Sequence, residues 1–191
     1  MGREFELKYD ASLDAMMTLI ARYPQMTEIE MKTTYYDDHE GRLSKLHWTL
    51  RKRMENQKSV CSLKTPAGGM ARGEWEVEGD DIMEAIPRLC EIGAPLQLLA
   101  LTAEGVKSVC GAEFVRRACL VEVEGAVVEL AVDTGLLLGG GQTDLIMEVE
   151  VELKEGSEAA AVAFGEQLAR ELGMKPEYRS KVGRARKLAG I

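Results

Sequence analysis

The feature that most restricts this chain is a run of short segments in which charged and apolar residues alternate, with the sign of the charge sorted by segment. In residues 3–9, Glu4, Glu6 and Lys8 point one way and Phe5, Leu7 and Tyr9 the other. In residues 47–54, Thr49, Arg51 and Arg53 share a face. Ser62 and Lys64 do so in residues 59–65. In residues 71–78, Arg72, Glu74, Glu76 and Glu78 oppose Trp75 and Val77, and in residues 145–153, Glu148, Glu150 and Glu152 oppose Met147, Val149 and Val151. One such strand is best read as part of an antiparallel sheet with a solvated face. The set is not, because a solvated face has no need to gather acids on some strands and bases on others. A closed barrel with a charged lumen explains the sorting, provided that helices cover the apolar outside. Such a lumen is costly unless its charges are paired or met by a charged ligand.

The rest of the pattern supplies those helices. Residues 12–23 are predicted as an amphipathic helix, with Ser12 as N-cap and Pro24 beyond its end. Residues 80–92, about 95–110, 157–172 (capped by Ser157, stopped at Gly173) and the basic tail 176–190 also read as helical. Further strands are predicted at 28–37, 113–124 and 126–134, and a turn at Pro66 to Gly69. Residues 135–143 read as a Gly-rich loop at the barrel rim. Its Gly139-Gly140-Gly141 run has no following GK[ST] and is not a P-loop. At 191 residues and 46% hydrophobic, the chain suits a single domain over 1–191 with an ordinary core.

The net charge of −8 argues against a nucleic-acid binder, which needs a basic footprint. A local basic cluster for a small polyanion is still compatible with an acidic exterior. Cys61, Cys90, Cys110 and Cys119 have no CxxC spacing and read as reduced thiols in apolar surroundings. The charged N-terminal stretch and the lack of any run near 18 apolar residues point to a cytoplasmic protein without a membrane segment. His39 and His47 have no partner at metal-ligand spacing.

The charged faces carry a definite chemistry. Glu4, Glu6, Glu148, Glu150 and Glu152 offer hard oxygen donors side by side, which suit Mg²⁺ or Mn²⁺. Arg51, Arg53, Lys64, Arg72 and Lys181 offer fixed positive charge, the arginines in the fork geometry that grips phosphate. Metal plus Arg/Lys around an anion is the apparatus of phosphoryl transfer. The combination suits adjacent phosphates better than a carboxylate or a sugar.

The Glu4-Phe5-Glu6-Leu7-Lys8 stretch resembles the ExExK signature of CYTH-domain proteins, the triphosphate tunnel metalloenzymes. It is followed in order by Tyr35-Tyr36-Asp37, Leu50-Arg51-Lys52-Arg53, Leu63-Lys64-Thr65, Arg72-Gly73-Glu74-Trp75-Glu76, Arg116, Glu129 with Asp133, the Glu148/Glu150/Glu152 alternation, and Ser180-Lys181 with Arg184. The resemblance covers nearly the whole chain. It implies an α+β protein built on a closed eight-stranded antiparallel β-barrel, a tunnel with a polar lumen flanked by helices.

It also implies roles. Glu4, Glu6, Glu148 and Glu150 would bind Mg²⁺ or Mn²⁺, with Glu152 in support. Lys8, Arg51, Arg53, Lys64, Arg72, Arg116 and Lys181 would hold phosphates. Arg117 is adjacent to Arg116 and only one of the two can face inward; the register favours Arg116. The family often has a second basic residue where this chain has Ala118, which thins the basic lining there. Glu129 and Asp133 would face the lumen, and Glu6, Glu150 or Asp133 would assist the attacking water. The expected activity is hydrolysis of inorganic triphosphate to pyrophosphate and phosphate, closest to the bacterial inorganic triphosphatases, whose additional helical domain this sequence lacks. The alternatives are a class IV adenylate cyclase, an organic (thiamine or nucleoside) triphosphatase, or a non-catalytic polyphosphate-binding sensor. The expected partner is a small-molecule triphosphate, with neither nucleic acid nor membrane, and a homodimer is compatible with so compact a barrel.

Overall fold

The computed structural model describes the backbone of residues 2–66 and 72–191 and the side chains of residues 5–66 and 73–191. The turn expected at Pro66 to Gly69 falls mostly outside the described residues. The strands are β1 (Gly2–Glu4), β2 (Glu6–Asp10), β3 (Thr27–Asp37), β4 (Thr49–Glu55), β5 (Lys58–Pro66), β6 (Arg72–Glu78), β7 (Lys107–Val123), β8 (Ala126–Gly139), β9 (Gln142–Gly156) and β10 (Lys175–Pro176). The helices are α1 (Leu13–Arg22), α2 (Arg42–Lys45), α3 (Ile82–Glu91), α4 (Gln97–Leu101), α5 (Glu158–Leu172) and α6 (Lys181–Ala189). All strands join one antiparallel sheet in the order β1-β6-β5-β4-β3-β7-β8-β9-β2-β10.

The sheet corrects the expected eight-stranded closed barrel: its hydrogen-bond order runs through ten strands with two ends. The extra strands have a local cause. The N-terminal stretch divides at Phe5, so that Gly2–Glu4 pairs with β6 while Glu6–Asp10 pairs with β9. Phe5 turns its carbonyl to Leu153 N at 2.9 Å. The two-residue β10 then adds to β2.

The apolar faces are covered as the alternation predicts. α1 and α5 pack on Tyr9, Val128, Leu130, Val149 and Val151. α2, α3 and α4 pack on Trp48, Leu50, Leu63 and Trp75. α6 packs on Phe114, Leu137 and Ile146 through Val182 and Ala185. The caps do what their chemistry allows: Ser12 accepts from Ala15 N at 3.2 Å, Ser157 from Ala159 N at 3.2 Å and Ser180 from Gly183 N at 3.1 Å. Gly173 ends α5 at φ 66°.

Two sequence expectations are corrected. The helix expected over about 95–110 stops at Leu101, and β7 starts at Lys107. Gly105, at φ 94°, breaks the helix, and Val106, Val109 and the ladder to β3 draw the chain into the sheet. The expected loop at 135–143 is a hairpin, with β8 running to Gly139 and only Gly140-Gly141 turning, at φ 58° and 75°. Gly135 is in the strand for another reason: a Cβ there would overlap the Glu113 carbonyl oxygen and the Phe114 backbone across the β7–β8 ladder. Gly135→Ala is therefore expected to destabilise the protein by roughly 1–3 kcal/mol, read as a lower urea midpoint. An unchanged midpoint would show that the ladder absorbs the methyl without strain.

Candidate functional site

Every strand from β2 to β9 contributes at least one side chain to a single cavity of about 320 Å³, and α6 adds Lys181 and Val182. Period-two alternation sets this lining, since the residues between the lining positions point into the helix-covered cores. Seven lining residues are cationic, namely Lys8, Arg51, Arg53, Lys64, Arg116, Lys154 and Lys181. Seven are carboxylates, namely Glu6, Glu55, Glu74, Glu76, Glu129, Glu150 and Glu152. The described lining is thus balanced in charge.

The basic wall is built on β4 and β5, with Glu74 of β6 against it. Arg51 donates from Nε to Ser62 Oγ at 2.8 Å and lies 3.3 Å from Glu74. Lys64 sits 3.2 Å from the same Glu74 oxygen. Arg53 donates to Thr33 Oγ1 at 3.2 Å. Burial first, and then the neighbouring Arg51 charge, push Arg53 down to about 10, so it stays cationic at neutral pH.

The acidic wall is built on β8 and β9. Register aligns Lys8 with Glu150 and Glu6 with Glu152 across β2 and β9, and Asp133 with Glu148 across β8 and β9. Asp133, Glu148 and Glu150 present carboxylate oxygens within 4.8 Å of one another, among the described residues. Arg116 grips Asp133 with both prongs, at 2.8 and 2.7 Å, and also contacts Glu150. Arg184 reaches Glu148 at 2.5 Å. Lys181 lies 2.8 Å from Asp133, 2.6 Å from Glu148 and 2.6 Å from Glu150. Burial alone would raise Glu150, but Lys181 and then Arg116 hold its carboxyl well below the usual carboxylate range. Burial likewise disfavours the charged forms of Lys181 and Arg116, and the surrounding carboxylates push both above their ordinary values. Glu150, Lys181 and Arg116 are thereby held in their charged forms.

The structure brings most of the sequence-predicted residues together. Glu6, Lys8, Arg51, Arg53, Lys64, Arg116, Glu129, Glu150, Glu152 and Lys181 all line the cavity. Asp133 and Glu148 are buried, at 0% and 1% exposure, against Arg116, Lys181 and Arg184. Arg116 faces in, while Arg117 pairs with Glu28 at the surface. Ala118 lines the cavity where a second base was missing from the pattern. Glu4 and Arg72 are backbone partners between β1 and β6, and their side chains lie outside the described residues. Sequence reasoning missed Lys154, which bridges to Glu152 at 2.8 Å and lies 3.7 Å from Glu129. Its signal was present: it is the next inward position after Glu148, Glu150 and Glu152. It also missed Tyr35 and Glu55 in the lining.

Elsewhere, all four cysteines are free. No helix among the described residues is long and apolar enough to cross a membrane, which leaves strand-built membrane proteins unaddressed.

Comparison with known proteins converges on this architecture. The CYTH domain family model matches residues 2–184. An inorganic triphosphatase of Haemophilus influenzae (strain ATCC 51907 / DSM 11121 / KW20 / Rd) is 28% identical over 166 residues, which is 82% of this chain and 47% of that protein. The chain thus spans about half the length of that curated relative. Among solved structures, HpAC1 from Hippeastrum, described as a putative adenylyl cyclase with a dominant triphosphatase activity, superposes with a TM-score of 0.63 at 20% identity, covering 97% of this chain and 96% of that one. PH1819 from Pyrococcus horikoshii OT3 superposes with a TM-score of 0.61 at 24% identity, covering 95% and 97%. At these identities the superpositions show a shared fold.

Proposed function

Because this chain belongs to the CYTH domain family, we propose that it hydrolyses inorganic triphosphate to pyrophosphate and phosphate with Mg²⁺ or Mn²⁺ in its charged cavity. One observation carries the reading: among the described residues, cationic and acidic side chains from seven strands and α6 meet in one cavity in equal number. A balanced lining is unfavourable for a bare polyanion and favourable for a polyanion with divalent cations. In the same reading the N-terminal stretch, which holds both β6 and β9, closes the sheet around the cavity as a tunnel wall. The similarity to the Haemophilus inorganic triphosphatase supports the choice of substrate.

The residues present fit a hard divalent cation. Asp133, Glu148 and Glu150 offer clustered oxygens, and the buried Glu148 Oε2 accepts no hydrogen bond although the Lys181 ammonium lies 2.6 Å away. Glu6, Glu148 and Glu150 would hold the ion, with Glu4 joining them. When bound, the ion supplies charge neutralisation of the phosphate chain and activation of water. Lys8, Arg51, Arg53, Lys64, Arg116 and Lys181, together with Arg72, bind and align the chain of phosphates. Glu6 and Glu150, which line the cavity, are placed to take the proton of the attacking water. Asp133, clamped by Arg116, fixes the arginine instead.

Phosphate release from inorganic triphosphate, ATP and thiamine triphosphate, measured with Mg²⁺, Mn²⁺ or EDTA, tests this. The expected result is fast release from inorganic triphosphate that EDTA abolishes. A second reading, an organic triphosphate as substrate, has its own support. A larger cavity of about 870 Å³ shares Glu6, Lys8, Lys64 and Ser180 with the first and adds an apolar wall of Leu7, Tyr9, Val162 and Met174. Preference for thiamine triphosphate or ATP, or formation of cyclic AMP, would favour that reading. Tight binding without turnover would leave a sensor.

A further inference from the structure

Lys181 stands between three carboxylates that are already held by other residues. Arg116 grips Asp133 and contacts Glu150, and Arg184 holds the remaining oxygen of Glu148. The acidic wall therefore keeps its orientation without Lys181. Of the three close approaches of its Nζ, the one to Glu150 Oε1, at 2.6 Å, has hydrogen-bond geometry. Glu148 Oε2 lies as near and accepts no hydrogen bond. The ammonium meets that oxygen as an ion pair.

A hard divalent cation binds carboxylate oxygens at about 2.0–2.1 Å for Mg²⁺. An ion using these same oxygens would come into contact with Nζ, and two positive centres at that range repel strongly in a buried site. The side chain has a way out. Lys181 is the first residue of α6, anchored by the Ser180 cap, so its backbone is fixed, and its buried but flexible four-carbon stem would have to turn toward the cavity. Lys181 already borders the cavity. The face of Phe114, 5.2 Å from Nζ, gives the ammonium a favourable surface on the way.

We propose that Lys181 is an exchangeable internal cation: it neutralises Asp133, Glu148 and Glu150 until a divalent ion is taken up, then yields its place and turns its ammonium into the cavity toward the phosphate chain. This rests on the metal-dependent reading of the same site. It assigns Lys181 two successive partners and makes metal uptake and phosphate binding favour each other.

The test uses the metal alone. Free Mn²⁺ is titrated by electron paramagnetic resonance in the wild-type protein and in Lys181→Met, without triphosphate. The variant is expected to bind Mn²⁺ at least about tenfold more tightly, since no resident ammonium has to be displaced. It is also expected to melt below the wild type in EDTA and to gain more from Mn²⁺ than the wild type does. Equal or weaker Mn²⁺ binding by the variant overturns the proposal. Should the variant fail to fold, the wild-type protein decides the matter: acylation of Lys181 by an amine reagent, followed by peptide mass spectrometry, is expected to rise when Mn²⁺ is added. Labelling that is unchanged at millimolar Mn²⁺ overturns the exchange. None of these readouts involves turnover. An active triphosphatase whose Lys181→Met variant shows no gain in Mn²⁺ affinity removes the exchange and keeps the activity, and an inactive protein with that gain does the reverse.

Discussion

Glu150→Gln is expected to lower the turnover of inorganic triphosphate by at least about 100-fold, the scale of losing one preorganised charge at a reacting centre. The substitution keeps the size and planarity of the side chain and removes its charge. Glu150 is where the two walls of the site meet: it lines the cavity, accepts from Lys181 at 2.6 Å and contacts Arg116. Its loss leaves both cations short of a counter-charge and removes an oxygen donor from the cluster that suits a metal. Glu28→Gln is the control, because Glu28 pairs with Arg117 on the exterior, 55% exposed at its side chain. Comparing the two variants by phosphate release at several Mg²⁺ concentrations separates weakened metal binding, which excess metal restores, from lost chemistry, which it does not. Wild-type rates in Glu150→Gln at every metal concentration would place the reaction elsewhere.

The largest effect on stability is expected from Arg116→Leu, at about 3 kcal/mol in the presence of EDTA. Asp133 is fully buried and takes both prongs of Arg116. Removing the guanidinium leaves a buried carboxylate with Lys181 as its remaining cation, 2.8 Å away. The adjacent Arg117→Leu should cost less than about 1 kcal/mol, because an exposed ion pair is worth little. Urea denaturation of both variants gives the comparison, and two neighbouring arginines with such unequal effects are the signature of a charge network on one face of β7. Equal midpoints would mean that the network contributes nothing net to the fold.

Which residues meet in the site was legible because a strand alternates with period two and errors of register are costly. Glu6 and Lys8, Arg51 and Arg53, and Glu148 to Glu152 needed nothing more than that period and the sorting of charge by segment. Lys154 obeyed the same rule and was overlooked because it reverses the sign of its row. The structure separates residues that the sequence treats alike: Asp133 and Glu148 are buried beneath cations while Glu150 borders the cavity, a difference made by neighbours on β7 and α6. Element ends were less legible. Leu136 to Leu138 between glycines looked like a loop, since nothing local reveals that Gly135 is needed for the close approach of β7. The break of the first strand at Phe5 was likewise hidden, because it depends on two partners, β6 and β9, that lie far along the chain.

That break has a consequence for the order of events in folding. Residues 2–10 must find partners in residues 72–74 and 148–152, so among the described strands β2 is made long before its partner β9. Contacts between such distant residues are slow to form, and until β9 emerges from the ribosome the edges of β2 and β8 that it covers stay open to strands from other chains. The carboxylates proposed for catalysis, Glu6 and Glu150, lie on the two strands of this late pairing. A chain stalled before β9 would therefore be prone to aggregate and also incapable of turnover, which ties the onset of chemistry to the completion of the fold.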